Sequence, residues 1–127
     1  MNLTPEDATA EPATPVAPDA NATPLLDHER LDAFQVALEF AAMVPSLTRT
    51  ARPALRDQLE RASSSIALTL AEGNARRTRR DRLHFFSMAQ GPAMECAAAL
   101  DILRVTGHLA AADATRAKHK LTRIVQM

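Results

Sequence analysis

The sequence predicts an all-α fold: an antiparallel, up-and-down four-helix bundle that follows an N-terminal segment of different composition. Between residues 28 and 127, apolar residues recur at intervals of three and four, the spacing of one helix face. The alternation typical of strands is lacking, and aromatic residues make up only 3% of the chain, so aliphatic side chains and alanine must build the core. At 127 residues, one folded domain is expected.

Residues 1–27 are predicted to be a flexible or extended acidic tail. The segment is rich in proline and alanine, and proline lacks an amide donor and disfavours helix in the residue before it. The tail contains five acidic residues and no lysine or arginine, whereas residues 28–127 carry 15 basic and 10 acidic residues, a balance of +5. An acidic tail therefore precedes a mildly basic body, a pattern that fits either a polyanion partner or a solubilising tail.

The first predicted helix, from about His28 to Val44, ends before Pro45 and is apolar on two sides. One apolar face contains Leu31, Phe34, Leu38 and Ala41. A second, nearly opposite, contains Val36, Phe40 and Met43. A monomeric bundle needs one apolar face per helix, so the second face is predicted to bind another copy of the chain. Packing of a partner helix or of the tail is the alternative.

The second helix is predicted over about Pro53 to Glu72, because proline suits the first turn of a helix. Gly73 is expected to end it with a positive φ angle. Its apolar face contains Leu55, Leu59, Ala62, Ile66 and Leu70.

Thr78 and Asp81 have the spacing of a capping box, so a third helix is predicted from about Arg79 to Thr106, with Gly107 as its stop. Pro92 should kink this helix or break it into two. Its apolar face contains Leu83, Phe86, Ala89, Ala93, Ala97, Leu100 and Leu103. A fourth helix is predicted from Leu109 or Ala110 to the C-terminus, with an apolar face of Ala117, Leu121, Ile124 and Val125.

Five arginines lie within seven residues at the turn between the second and third helices. Arginine presents a planar fork of donors that suits phosphate oxygens, and a helix N-terminus also favours anions. The turn is therefore a predicted contact for RNA or DNA backbones; the alternative is a solvated turn that pairs with nearby acids. The candidate residues are Arg76, Arg77, Arg79, Arg80 and Arg82. A second basic stripe, on the fourth helix, is interpreted as solvated surface.

No catalytic or metal site is predicted. Glu72 and Glu95 could form a carboxylate pair, but neither a nucleophile nor a phosphate-binding loop accompanies them, so arginine partners are the preferred interpretation. Asp81 and His84 would supply only half of a helix-bundle metal site, among arginines that repel cations. Cys96 is followed by three alanines and is interpreted as a buried apolar residue. No cofactor is expected.

A set of positions around the turn between the second and third helices forms a recognisable pattern: Ser65, Ile66, Leu70, Ala71, Glu72, Gly73, Arg76, Asp81, Phe86, Ala89, Gly91 and Glu95. In this pattern the chain resembles the four-helix-bundle proteins encoded in intervening sequences of large-subunit ribosomal RNA genes, over most of residues 28–127. Four positions depart from the family pattern: Thr69 replaces the usual Asn, Ala75 a Gly, Gln90 a frequent basic residue and Pro92 the usual Ser.

The resemblance implies a ring-like homo-oligomer, since family members are known as pentamers. It also relates the chain in fold to accessory proteins of diversity-generating retroelements, which engage nucleic acid and a reverse transcriptase. We therefore expect a non-catalytic scaffold that contacts RNA or DNA. A protein-interaction module that docks an acidic partner is the alternative.

The expected location is the cytoplasm. A single cysteine allows no intrachain disulfide, which favours a reducing compartment. The N-terminus lacks the basic and apolar regions of a secretory signal, and no apolar run is long enough to cross a membrane.

Overall fold

A computed structural model of the protein describes residues 24–126. Its four helices are α1 (Pro24–Leu47), α2 (Pro53–Asn74), α3 (Arg79–Val105) and α4 (Ala111–Gln126). No strand occurs in residues 24–126, so the all-α prediction is confirmed. The predicted tail lies outside the described residues up to residue 23, and α1 begins four residues before the expected start at His28.

The four helices surround one core. Contacts join α1 to α2, α2 to α3, α3 to α4 and α4 to α1. At one end, the loops after α1 and α3 meet, where Thr50 Oγ1 lies 3.2 Å from His108 Nδ1. At the other end, Leu70 of α2, Leu83 of α3 and Ile124 of α4 line one cavity. None of the described helices combines the length and the apolar character that a bilayer span requires.

The core face of α1 is the one that the sequence had assigned to a neighbouring copy. Val36 and Phe40 are buried within the single chain, and Met43 is half-buried against the core. Leu31 and Leu38, expected in the core, are 60% and 42% exposed. The predicted interface on Val36 and Phe40 is therefore wrong. Both faces of α1 are apolar, and only packing against α2 and α4 decides between them.

The predicted apolar faces of α2, α3 and α4 are largely confirmed. Their buried members are Leu59, Ala62, Ile66, Leu70, Ala89, Ala93, Leu100, Leu103, Ala117, Leu121 and Ile124. Leu83 and Val125, at the margins of their faces, are exposed. Each of these three helices has one dominant apolar side, so periodicity alone was enough to orient it.

Gly73 is needed for a different reason from the predicted one. It lies inside α2, which continues to Asn74, whereas the positive φ angle among the described glycines, +81°, belongs to Gly107 at the end of α3. A Cβ atom on Gly73 would lie 2.8 Å from Cβ of Phe85. Gly73 therefore allows α2 and α3 to approach closely, while Gly107 acts as the predicted helix stop.

Two prolines lie inside helices. Pro45 is in the last turn of α1, which runs on to Leu47, so the expected end at Val44 is wrong. Pro45 has no amide to donate to the carbonyl oxygen of Ala41, but the amide and the hydroxyl of Thr48 both donate to the carbonyl oxygen of Val44, at 3.0 and 2.8 Å. Pro92 lies within an unbroken α3, which excludes two separate helices there. Gly91 precedes it and has no Cβ to clash with the proline ring.

Candidate nucleic-acid interface

The turn between α2 and α3 is built from backbone hydrogen bonds and one side-chain cap. The amide of Ala75 donates to the carbonyl oxygen of Glu72 (3.2 Å), and that of Arg76 donates to Gly73 (3.1 Å). Thr78 is the N-cap of α3, and its Oγ1 accepts a hydrogen bond from the amide of Asp81 at 3.1 Å. The predicted cap is therefore confirmed, and both ends of the turn are fixed.

Arg82 lies inside the bundle and not on its surface. Only 6% of the residue is exposed, and its Nη1 donates to the carbonyl oxygens of Arg76 (3.0 Å) and Arg77 (3.1 Å). The prediction that Arg82 contacts phosphate is therefore wrong. Helical periodicity could have revealed this, because Arg82 lies seven residues before Ala89 on the buried face of α3.

Arg76 is exposed but held in place by two neighbours. Its Nη2 lies 3.5 Å from Oε2 of Glu72, one turn earlier in α2. Its guanidinium carbon lies 4.5 Å from the ring centroid of Phe85, a cation–π distance. The contact of Phe85 with Arg76 was not predicted from the sequence, because only the adjacent Phe86 fitted the predicted core face.

Arg77, Arg79 and Arg80 are exposed at the surface of the turn. Among the side chains of residues 31–126, no carboxylate lies within ion-pair distance of these three guanidinium groups. We call Arg76, Arg77, Arg79 and Arg80 the arginine turn. Together with the amides at the start of α3, it forms a compact positive surface suited to phosphate or carboxylate oxygens.

Glu72 and Glu95 do not meet. Glu72 is exposed beside Arg76 at the end of α2, as the arginine-partner interpretation expected. Glu95 is exposed on α3, ten residues beyond Phe85, which contacts Gly73. At 1.5 Å of rise per residue, the two carboxylates are about 15 Å apart along the bundle. Gly91 lies on the same exposed side of α3 as Glu95, and a Cβ atom added to Gly91 would meet no other described atom within 4 Å.

The basic stripe on α4 is largely neutralised by acids of the bundle. Lys118 Nζ lies 2.8 Å from Asp101 Oδ1 of α3, and Lys120 Nζ lies 3.0 Å from Glu39 Oε1 of α1. These lysines lower the pKa of the Asp101 and Glu39 carboxyls, chiefly through the hydrogen bonds that they donate. Arg116 pairs with an acid of its own helix. The stripe therefore differs from the arginine turn, whose charges face solvent.

Cys96 is fully buried, in agreement with its interpretation as a core residue. Burial, together with the nearby negative charge of Glu95, raises the pKa of its thiol to about 12. A thiol that stays protonated is a poor nucleophile. Within the described part of the chain, no three His, Cys, Asp or Glu side chains come together as a metal site, and Asp81 and His84 stay on the surface.

A comparison with protein-family models identifies the family of this chain. Residues 29–127 match the family model described as 23S rRNA-intervening sequence protein, which covers the whole bundle except the first turns of α1. A search of the curated proteins found no match. The matched region contains all the positions from Ser65 to Glu95 on which the resemblance rests, Gly73 and Arg76 among them. The chain belongs to the 23S rRNA-intervening sequence protein family.

Proposed function

We propose that this protein is a non-catalytic scaffold that contacts RNA or DNA backbones through the arginine turn. The observation that carries the proposal is the solvent-facing set of guanidinium groups at Arg77, Arg79 and Arg80, which lack carboxylate partners among the described residues. Arg82 fixes the backbone of the turn from inside, so these side chains project from a defined frame. A fixed frame lowers the conformational cost of binding.

The proposed contact is to the sugar–phosphate backbone and not to bases. Recognition of unpaired bases uses exposed aromatic rings as stacking platforms. The four phenylalanines of this chain are Phe34, Phe40, Phe85 and Phe86, and each is buried or half-buried. Affinity should therefore depend steeply on salt and weakly on sequence.

The test is fluorescence anisotropy with a labelled polyuridylate oligonucleotide and the triple variant R77Q/R79Q/R80Q. Losing three phosphate contacts should weaken binding about 10- to 100-fold at ~0.1 M salt and reduce the slope of log affinity against log salt by about 2. The matched control is R49Q/R52Q/R61Q, which removes the same charge from three other exposed positions. An equal loss in both variants, or no loss in the first, contradicts the proposal.

The alternative is a protein-interaction module in which the arginine turn docks an acidic partner, such as a reverse transcriptase, without any nucleic acid. Exposed apolar side chains on α3, including Met94 and Val105, favour some protein contact. Absorbance of the purified protein at 260 and 280 nm separates the two functions. A raised ratio that nuclease treatment removes supports the scaffold, and a ratio typical of protein alone supports the alternative.

We further propose that the helices alternate in direction and that copies of the chain form a ring-like homo-oligomer, a pentamer by family resemblance. The burial of Val36 and Phe40 moves the proposed interface to the outward side of α3. There the exposed residues Ser87, Gly91, Met94 and Ala98 follow the gaps of four, three and four that let helices interlock, and none of the four is charged. A ring would present several arginine turns to one polyanion, which multiplies affinity.

A further inference from the structure

We propose that the acidic N-terminal segment, residues 1–23, docks on the arginine turn of its own chain and thereby competes with nucleic acid for it. The segment would act as a built-in regulator of the surface described above. The competition rests on the proposed function, whereas the docking itself does not.

The first support is charge complementarity. Residues 1–23 contain four acidic side chains and no lysine or arginine: Glu6, Asp7, Glu11 and Asp19. In the bundle, Asp101, Glu39 and Asp113 already pair with cations of α4. In the arginine turn, Arg76 pairs with Glu72, whereas the exposed guanidinium groups of Arg77, Arg79 and Arg80 have no such partner in the described part of the chain. It is therefore the densest site for carboxylates that the structure offers.

The second support is the place where the segment joins the bundle. On α1 and α4, Glu39 pairs with Lys120, and Met43, further along α1, lines a groove with Arg116, earlier in α4. Lower residue numbers of α1 thus lie toward the C-terminal end of α4. That end contacts the cavity formed by α2 and α3 beside the arginine turn, through Ile124. Pro24, the first residue of α1, therefore lies at the end of the bundle that carries the turn.

The third support is reach. A chain spans at most about 3.3–3.6 Å per residue, so 23 residues can extend about 75 Å, and the five residues from Asp19 to Pro24 about 16 Å. Neighbouring helices are 8–10 Å apart. All four carboxylates can therefore come to the arginine turn without any change in the bundle.

Tethering makes a weak contact effective. A short linker gives an effective concentration on the order of 1 mM, so a segment whose affinity in solution is only about 1 mM would cover the turn roughly half of the time. Nucleic acid, which offers more negative charges at closer spacing, would displace it. Salt weakens both contacts, because charges in solvent are screened over about 10 Å at 0.1 M.

The test compares the full chain with a variant that neutralises the segment at constant length, E6Q/D7N/E11Q/D19N. Removing an internal competitor that covers the turn half of the time should tighten polyuridylate binding about twofold at ~0.1 M salt, and this gain should vanish in the R77Q/R79Q/R80Q background. The control variant D32N/D57N/E60Q/E95Q removes four exposed acids of the bundle. An equal gain in the control reflects overall charge and overturns the proposal, as does no gain in the segment variant.

A second measurement detects docking without nucleic acid. A fluorescent peptide of residues 1–23 is titrated with the segment-neutralised full chain, and binding near 1 mM that R77Q/R79Q/R80Q abolishes is expected. If no variant binds polyuridylate, the proposed function fails, and this peptide arm alone decides whether the segment docks. Absence of peptide binding, or binding that survives loss of the three arginines, overturns the inference.

Discussion

Gly73 and Arg82 shape the α2–α3 corner at the scale of single residues. Gly73 lacks a side chain where the Cβ of Phe85 needs the space, and Arg82 sends its side chain back to the turn carbonyls. From the sequence, Gly73 was expected to be a helix stop and Arg82 to be one more surface charge. Their roles depend on which atoms of the neighbouring segment lie opposite them, and this is not encoded in local spacing.

We expect Gly73→Ala to lower the free energy of unfolding by about 1–3 kcal/mol, because the added methyl group must displace Phe85 and separate α2 from α3. Urea denaturation followed by circular dichroism measures the loss. Gly107 provides the control, since its constraint is a positive φ angle and not a contact. At position 107, asparagine should destabilise the protein less than alanine does, because it tolerates a positive φ angle better. At position 73, asparagine should destabilise it more, because its side chain is larger. The same ranking at both positions would contradict the packing explanation.

Cys96 should make stability depend on alkaline pH. Its pKa in the folded state, about 12, lies above the ordinary thiol value of 9.0, so the unfolded state loses the thiol proton first and stability falls as the pH rises from 9 toward 12. Cys96→Ala removes this term. Between pH 7 and pH 10.5, the wild type should lose about 2 kcal/mol of unfolding free energy that the variant retains, since each pKa unit corresponds to 1.36 kcal/mol. A difference between the two proteins that does not change with pH contradicts this prediction.

At the scale of elements, local signals located α2, α3 and α4 well. Pro53, the cap at Thr78 and Gly107 act on the backbone within a few residues, so their effects are visible in the sequence. The end of α1 was misplaced because proline usually ends a helix. Pro45 has no amide to donate to the carbonyl oxygen of Ala41, yet α1 continues to Leu47, and the amide of Thr48 still donates to Val44. A proline in the last turn of a helix removes one hydrogen bond but does not prevent the turn from forming, so a local stop rule fails there.

Thr78→Ala should destabilise the protein by about 1 kcal/mol, because the amide of Asp81 loses its side-chain acceptor at the start of α3. Thermal or urea unfolding provides the measurement. Thr78→Ser keeps the hydroxyl and should retain most of the stability. A serine variant as unstable as the alanine variant would assign the effect to the methyl group and not to the cap.

At the scale of the whole molecule, the bundle exposes apolar side chains that the core does not need. Two of them, Met94 on α3 and Leu68 on α2, are 68% and 69% exposed. Only Met94 belongs to the seam of Ser87, Gly91, Met94 and Ala98, whereas charged residues that include Asp57, Arg61 and Glu72 surround Leu68. Met94 and Leu68 are therefore equally exposed, but only Met94 is proposed to lie in an interface between copies of the chain.

Met94→Lys should shift the protein from oligomer to monomer in sedimentation velocity, because each interface of the ring would have to bury an ammonium group without a partner. Leu68→Lys, the matched control, should leave the sedimentation coefficient unchanged. Circular dichroism should show that both variants remain helical. An oligomer that survives Met94→Lys, or that Leu68→Lys disrupts instead, would place the interface elsewhere.

The sequence by itself determined the helical class, three of the four helix faces, the cap and stop of α3, and the family, because each depends on periodicity or on residues close together in the chain. The tertiary structure decided which apolar side of α1 is the core, that Arg82 supports the turn from inside, and that Gly73 serves close packing. These features depend on atoms brought from distant parts of the chain. Burial, in particular, is a property of the neighbours that surround a side chain, and a pattern along one helix does not contain them.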